Sequence, residues 1–560
     1  MSTASATSCS RAGKHEGTSA KRLKEIEGVG MSHTETIVII YIDVHGMRER
    51  MQSLAVPEGM EVCFFPISAG ERNRAAAFQR AMQQSEARYK VYVGEEIRIL
   101  QKNLLSDMVA AFRQHPDIGL LGLSGTKRLL TSGITYLAPE RVGIVLDDAG
   151  RPLAGTAACG QCEMVQAVDG YLMATQQDVE WRQDLLKETL FLGPAASCEF
   201  HRAGYGVAVL SEAAPACQLL RDALSADDQE QAAFLDEYSK DLYPLVSIII
   251  PTYQRPAYFQ QALASAAGQT YRNLDIFVTD NSHDEKTKQV YEQDFADDPR
   301  IHYEHHPEYD SADANWHRAN TYDNPDATYV NWLMDDDLFH PEKIAAMIDL
   351  FLQCPGVVLV TSYRKLIDAE GNELPDAPWS KAPVHTTTRV NGDGMGRAML
   401  VNMLNIIGEP TTALVKKSAL YRGHLGWPGE SKKYWISDYP TWFHVLTQGD
   451  AIYMTEPMSF FRQHSGQQQK DVSTYVTSLI CWAMMARNAL ALGNFLQTDE
   501  DRMQTVTRWL LTSTDALDFL YQHPEARQKT YWQDFLKVYA GIASAMSNGY
   551  HVVFDVDSNS

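Results

Sequence analysis

One pattern occurs twice in this chain and restricts its fold more than any other feature: a short apolar β-rich run, an acidic cluster, and an amphipathic helix. Shifted by 241 residues, positions 89–112 fall on 330–353 without a gap, so that Glu95 meets Asp336, Glu96 meets Asp337 and Lys102 meets Lys343. The flanking segments repeat the alternation. "TIVIIYID" (36–43) and "EVCFFPIS" (61–68) precede the first copy, with the helical "RAAAFQRAMQQ" between "EVCFFPIS" and "YKVYVG". "LVSIIIPTY" (245–253), the helical "AYFQQALASAAGQ" and "LDIFVTD" (274–280) precede the second. Apolar runs of this length, spaced by helices, form mostly parallel sheets buried on both faces. The expected fold class is therefore α/β, with two tandem Rossmann-like units followed by a helical C-terminal region.

The expected boundaries are a disordered tail over 1–35, a first unit over 36–220, a linker helix over 221–243, a second unit over 244–468 and helices over 469–560. The linker follows from "RDALSADDQEQAAFLDEYSKDLYP", which is charged and poor in β-branched residues. At 560 residues the chain exceeds one hydrophobic core. A formal net charge of −22 argues against nucleic acid as a partner. No segment reads as a clean transmembrane span, since "SLICWAMMARNALALGNFL" carries Arg487 at its middle and reads as a buried helix. Association with a membrane surface stays open. The polar N-terminus lacks a signal-peptide core, and eight scattered cysteines suit a reducing cytoplasm. Cys159, Cys162, Cys198 and His201 form a zinc-type set on paper, but a lone CxxC is a weak signal and separate thiols are the favoured reading.

Ligands of open α/β sheets sit beyond the carboxyl ends of the strands. Three such ends in the second unit carry chemistry: "PTYQRP" (251–256), "TDNS" (279–282) and the triplet Asp335, Asp336 and Asp337. Three adjacent carboxylates repel one another and call for a cation, donors or water in front of them. A hard divalent cation, Mn²⁺ or Mg²⁺, takes oxygen ligands of this kind and neutralises a diphosphate. Neither a P-loop nor a GxGxxG motif is present to hold phosphate instead.

These segments, with "ISDYPTWFHVLTQGD" and "PMSFFRQHSGQQQ", resemble the successive signatures of the family 2 glycosyltransferases over about residues 244–468. The resemblance implies the GT-A fold and inverting transfer from a nucleotide-diphosphate sugar, with a UDP-sugar favoured, to a glycan, lipid-linked or protein acceptor. It assigns Thr252, Tyr253 and Arg255 to the nucleotide and Asp280 to the base. It also implies that Asp335 and Asp337 are the DxD pair, one toward the ribose and the other toward the metal, with Asp336 among the donor-binding residues. Asp438 matches the carboxylate that deprotonates the acceptor, His464 a histidine completing the metal or diphosphate site, and Glu409 an acceptor-side residue. Structural alternatives stand beside these: a turn for "PTYQRP", helix N-caps for Asp280 and Asp438, and a solvated His464.

The first unit, over about 36–210, resembles the glycosyltransferase-like domain of streptomycin-biosynthesis proteins through "NRAAAFQRAMQQSEARYKVYVGEEIRILQKNLL", "VDGYLMATQQDVEW" and "CEFHRAGYGVAVL". It departs from that pattern at Gly94-Glu95-Glu96, where an acidic motif ends in Asp, and at Leu192 and Gly193, where a Tyr-Asp pair is usual. The favoured function is a metal-dependent glycosyltransferase with a catalytic second unit, the first binding an acceptor, a partner or a second sugar. The competing functions are a non-catalytic nucleotide-sugar or glycan-binding protein and metal-assisted phosphoester hydrolysis. The sequence carries no signal for oligomeric state.

Overall fold

The computed structural model describes residues 23–25 and 36–547, except 45, 95–96, 154, 158–159, 188–189, 211–213, 221–226, 310, 378, 424–437 and 465–471. Glu95, Glu96, Cys159 and most of the 1–35 segment thus lie outside the described residues. Two compact units meet between Phe234 and Leu235, inside the helix Asp228–Leu242.

The first unit is built on an eight-stranded sheet. Its order is Leu23–Glu25, Glu61–Ser68, Thr36–Asp43, Tyr89–Val93, Leu172–Thr175, Ile118–Gly122, Gly206–Leu210 and Cys162–Met164. The expected disordered tail therefore contributes an edge strand. Leu23–Glu25 pairs in parallel with Val62 to Phe64, because an open sheet edge offers backbone groups that an extended segment satisfies.

The second unit contains a ten-stranded sheet whose main path runs Ile301–His305, Leu274–Asp280, Leu245–Thr252, Ala327–Trp332, Leu414–Lys416, Val357–Ile367, Asp450–Arg462 and Leu338–Phe339. The first four strands are mutually parallel, and Leu414–Lys416 is antiparallel to both of its neighbours. Six strands of each unit follow one order. Glu61–Ser68, Thr36–Asp43, Tyr89–Val93, the antiparallel Leu172–Thr175, Ile118–Gly122 and Gly206–Leu210 correspond in turn to Leu274–Asp280, Leu245–Thr252, Ala327–Trp332, Leu414–Lys416, Val357–Ile367 and Asp450–Arg462. The repeat read in the sequence is thus a repeat of topology.

The strand Leu245–Thr252 is apolar throughout because both of its faces are covered. Val246, Ile248 and Ile250 pack on the helices Pro256–Ala267 and Lys343–Gln353, through Phe259, Leu263, Ile344, Met347 and Ile348. Ile249 points the other way, into a core shared with Trp442, Trp482, Trp509 and Trp532. Those tryptophans come from Asp438–Leu446, Val472–Leu492, Asp499–Thr512 and Thr530–Ser547, so the C-terminal helices belong to the second unit's core. Val472–Leu492 is the one described helix long and apolar enough to cross a membrane. Val476, Leu479, Ile480, Trp482, Met484 and Met485 on it are buried in this core, which accounts for its composition.

In the first unit, Gly193 lies on the helix Leu192–Arg202 against the backbone of residues 168–170. A Cβ there would stand 2.4 Å from the Val168 carbonyl oxygen and 2.6 Å from the Gly170 nitrogen. No side chain fits without moving backbone. Gly193→Ala should therefore lower the melting temperature of the first unit, at a cost of about 1–3 kcal/mol by overpacking. An unchanged thermal unfolding curve would contradict this close approach.

Candidate functional site

The parallel strands of the second unit end together, and their ends carry the residues singled out in the sequence. Thr252 closes Leu245–Thr252, and its hydroxyl donates to Asp335 Oδ2 at 3.0 Å, joined by the Tyr253 N–H at 3.3 Å. Arg255 Nη1 donates to Asp335 Oδ1 at 3.1 Å and to Asp336 Oδ2 at 3.2 Å. "PTYQRP" is therefore a turn and also the donor set for the acidic triplet. Its backbone supports this: Gln254 takes φ +50° while its N–H donates to Ser282 Oγ at 2.7 Å. Tyr253 stands beside the cluster with 43% of its surface exposed, edge-on to His283.

The three aspartates differ in environment. Asp335 is buried, and burial, aided by the charge of Asp336 and opposed by Arg255, pushes its pKa up to about 6. Asp337 is 1% exposed. Its Oδ2 accepts from the Thr411 hydroxyl at 2.7 Å and its Oδ1 from the Arg462 backbone N–H at 3.1 Å. Burial and the neighbouring Asp336 charge hold its pKa well above the usual carboxylate range. Asp336 lies between them in sequence with its side chain 13% exposed, and His464 Nε2 reaches its Oδ2 at 3.0 Å. His464 also packs against the Tyr258 ring, so it is not a solvated surface residue.

Asp280 ends Leu274–Asp280 and is fully buried. Its Oδ1 accepts from the Ser282 N–H at 2.7 Å, in the side-chain turn expected of an aspartate at a strand end. Its Oδ2 accepts from the Tyr303 hydroxyl at 2.6 Å. Each carboxylate oxygen keeps further acceptor capacity.

On the other side of the triplet, residues 409–412 connect Asp337, through Thr411, to Glu409. Glu409 pairs with Arg364, Nε to Oε2 at 2.7 Å and Nη2 to Oε1 at 3.1 Å. Asp438 opens the helix Asp438–Leu446. Burial, with the nearby Glu409 charge, raises its pKa to about 7, while its own N–H and that of Tyr439 pull the other way. One carboxyl group thus stands at the helix start with N–H groups favouring its charged form and burial favouring its protonated form.

The donors fit a hard divalent cation. Asp336 and His464 supply an oxygen and a nitrogen at one place, and such sites commonly use one or two protein ligands with phosphate and water completing the shell. Among the described residues no set of three or more His, Cys, Asp or Glu side chains forms a closed metal cage. That also separates Cys162, Cys198 and His201 from any zinc site among those residues. Cys198 is buried in its helix, and the His201 ring lies 3.2 Å from the Gln166 carbonyl oxygen.

Sequence reasoning passed over four residues here. Arg462 is fully buried and donates from Nε to the Asp336 carbonyl at 2.8 Å, from Nη1 to the Asp368 and Ala369 carbonyls and from Nη2 to Gln261. Thr411, Arg364 and Lys343 are the others. Their signal was a charged or hydroxyl residue inside an apolar stretch, as in "FFRQH", "TSYRK" and "PTTAL".

Residues 42–238 match the model of a family described as glycosyltransferase like, and residues 247–420 match that of glycosyl transferase family 2. An uncharacterized glycosyltransferase of Rickettsia typhi is 30% identical over 230 residues, covering 40% of this chain and 65% of that protein. A GalNAc(5)-diNAcBac-PP-undecaprenol beta-1,3-glucosyltransferase of Campylobacter jejuni is 32% identical over 130 residues, 23% of this chain and 40% of that one. The crystal structure of residues 1–349 of S. aureus TarS aligns with 54% of this chain and 80% of its own, with a TM-score of 0.37 and 13% identity. The chain spans 65% and 36% of the lengths of the Rickettsia typhi and Rickettsia conorii relatives, less than two thirds of each. It belongs to the glycosyltransferases, with a family 2 domain over residues 247–420 and a glycosyltransferase-like domain over residues 42–238.

Proposed function

We propose that the second unit is a metal-dependent, inverting glycosyltransferase that moves a sugar from a nucleotide-diphosphate sugar, with a UDP-sugar favoured, to an acceptor hydroxyl. The observation that carries this reading is the placement of residues 409–412. Thr411 bonds Asp337, next in sequence to the Asp335–Asp336–Arg255–His464 cluster, and the charge of Glu409 acts on a second, separate carboxylate, Asp438, whose burial raises its pKa to about 7.

In this reading Tyr253 and Asp280 receive the nucleotide, Thr252 and Arg255 fix Asp335 toward it, and Asp336 with His464 would hold Mn²⁺ or Mg²⁺. When bound, the cation offsets the charge of the departing diphosphate. Asp337 is assigned differently from the sequence-based expectation. Both of its oxygens are engaged by Thr411 and Arg462, so it acts as an internal brace while Asp336 takes the metal side. Asp438 removes the proton from the acceptor hydroxyl as that oxygen bonds the anomeric carbon, and the bond from that carbon to the diphosphate breaks. Glu409 is held by Arg364 through both oxygens and is not free to form a covalent intermediate. The pairing supports reading the transfer as a single displacement, and hence as inverting.

Asp336→Asn should abolish Mn²⁺-dependent stabilisation by UDP-sugars in thermal-shift titrations, since a ligand that binds the folded state raises its melting temperature. Retained Mn²⁺-dependent affinity would remove Asp336 from the metal side. Asp337→Ala should instead destabilise the ligand-free protein by about 1–3 kcal/mol, read as a lower melting temperature, because the Thr411 hydroxyl and the Arg462 N–H lose their acceptor.

For Asp438, kcat/KM should rise with pH through about 7 as the base ionises. Asp438→Asn should cut kcat by about 10²- to 10⁴-fold and abolish that limb. The same raised pKa makes a stability prediction. Between the ordinary carboxylate value of 3.8 and about 7 the folded state binds more protons at this site than the unfolded chain. The wild type should therefore lose stability relative to Asp438→Asn as pH rises through that window. Parallel melting curves for the two proteins across it would show that the carboxyl titrates normally.

A further inference from the structure

Trp379 is the one tryptophan among the described residues with more than a third of its surface, 44%, exposed. A single exposed aromatic residue needs no explanation by itself. This one is held in place from several directions. Ser380, fully buried, closes a turn on Ala377. Its Oγ accepts the Ala377 N–H at 3.0 Å and donates to the Ala377 carbonyl at 3.1 Å, and its own N–H donates to that carbonyl at 3.0 Å. Trp379 thus directly precedes a buried serine that is hydrogen-bonded to Ala377. The Arg364 guanidinium lies over the ring, 5.6 Å from its centroid, and Phe461 meets it perpendicularly at 6.1 Å.

Both partners lead into the site. Arg364 holds Glu409, and Phe461 precedes Arg462, whose backbone N–H donates to Asp337. The ring therefore borders the Glu409 side of the site, where the acceptor hydroxyl would approach Asp438. A pyranose has an apolar face of C–H groups and a rim of hydroxyls. The exposed indole face accepts the first, and the Glu409 side chain, 16% exposed in its pair with Arg364, offers an acceptor to the second.

We propose that Trp379, with Arg364 and Glu409, forms a subsite for a hexopyranose ring of the acceptor, so that the acceptor presents a sugar to this surface. The proposal rests on the glycosyltransferase reading of the same site.

The test uses the full chain with methyl β-glycosides of glucose, galactose, N-acetylglucosamine and N-acetylgalactosamine, followed by saturation-transfer NMR and tryptophan fluorescence. Decyl phosphate serves as the lipid-like probe. At least one glycoside should bind the wild type, and Trp379→Ala should weaken it by about tenfold, whereas Trp379→Phe, which keeps a flat ring, should retain most of the affinity. Melting temperatures identify any variant that fails to fold, and Trp379→Phe then carries the comparison through a smaller loss. Equal glycoside binding by wild type and variants, no glycoside binding by the wild type, or Trp379 dependence for decyl phosphate alone would each overturn the subsite. UDP-sugar binding to the wild type in Mn²⁺, measured on the same samples, keeps the two readings apart. Its absence counts against the transferase, while its presence with Trp379-independent glycoside binding removes only the subsite.

Discussion

Residues 408–412 are the seam on which the site depends, because Asn331, Asp337, Lys343, Arg364 and Trp442, from five different segments of the second unit, are all bonded to them. The Gly408 carbonyl accepts from Trp442 Nε1 at 3.0 Å, the Pro410 carbonyl from Asn331 Nδ2 at 3.0 Å and the Thr412 carbonyl from Lys343 Nζ at 2.8 Å. Thr411 reaches Asp337, and Glu409 reaches Arg364. Lys343 is fully buried, and burial holds its pKa well below the usual lysine value. A buried amine is tolerated only with acceptors at hand, so this side chain and the Thr412 carbonyl fix one another. The acidic triplet, through Asp337, and the helix that starts at Asp438, through Trp442, are thus both bonded to one short strip of backbone. Such preorganisation is what electrostatic catalysis requires.

The sequence made the strand ends legible because their signals are local. An apolar run, a turn residue and an acidic triplet within one short window suffice to locate Thr252, Asp280 and Asp335. Choosing between Asp336 and Asp337 needed tertiary contacts. Thr411 and Arg462, which occupy Asp337, lie 74 and 125 residues away, and past the end of a strand no alternation rule says which side chain faces inward. Arg364, Arg462 and Trp379 escaped notice for the same reason. Each reads as an isolated polar or aromatic residue until the fold supplies its partners. The repeat was legible because strand–helix period and spacing survive in both copies, although the acidic ends have diverged.

That divergence separates two sheets with the same strand order. In the second unit the strand ends hold a carboxylate cluster paired with Arg255 and contacted by His464. In the first, Asp169 is buried beneath Arg141 at 2.6 Å and is also hydrogen-bonded by Ser124 and Thr135. This carboxylate is internally neutralised. Gly193 then presses on the adjoining backbone where a polar side chain would need room. Here the architecture persists with the Asp169 charge paired inside the unit.

The helix that begins at Asp438 is seated by residues later in the chain, with Tyr439 and Phe443 packing on Trp482. Trp482 in turn belongs to a core that includes Trp509 and Trp532. During synthesis the strand ends that bind a donor leave the ribosome well before these helices do, and domains fold as units while the chain emerges. A nascent chain halted before Trp482 would carry the acidic triplet without the aromatic packing on Tyr439 and Phe443. In order of synthesis, the surroundings of the helix that starts at Asp438 are therefore completed after the strand ends of the same unit.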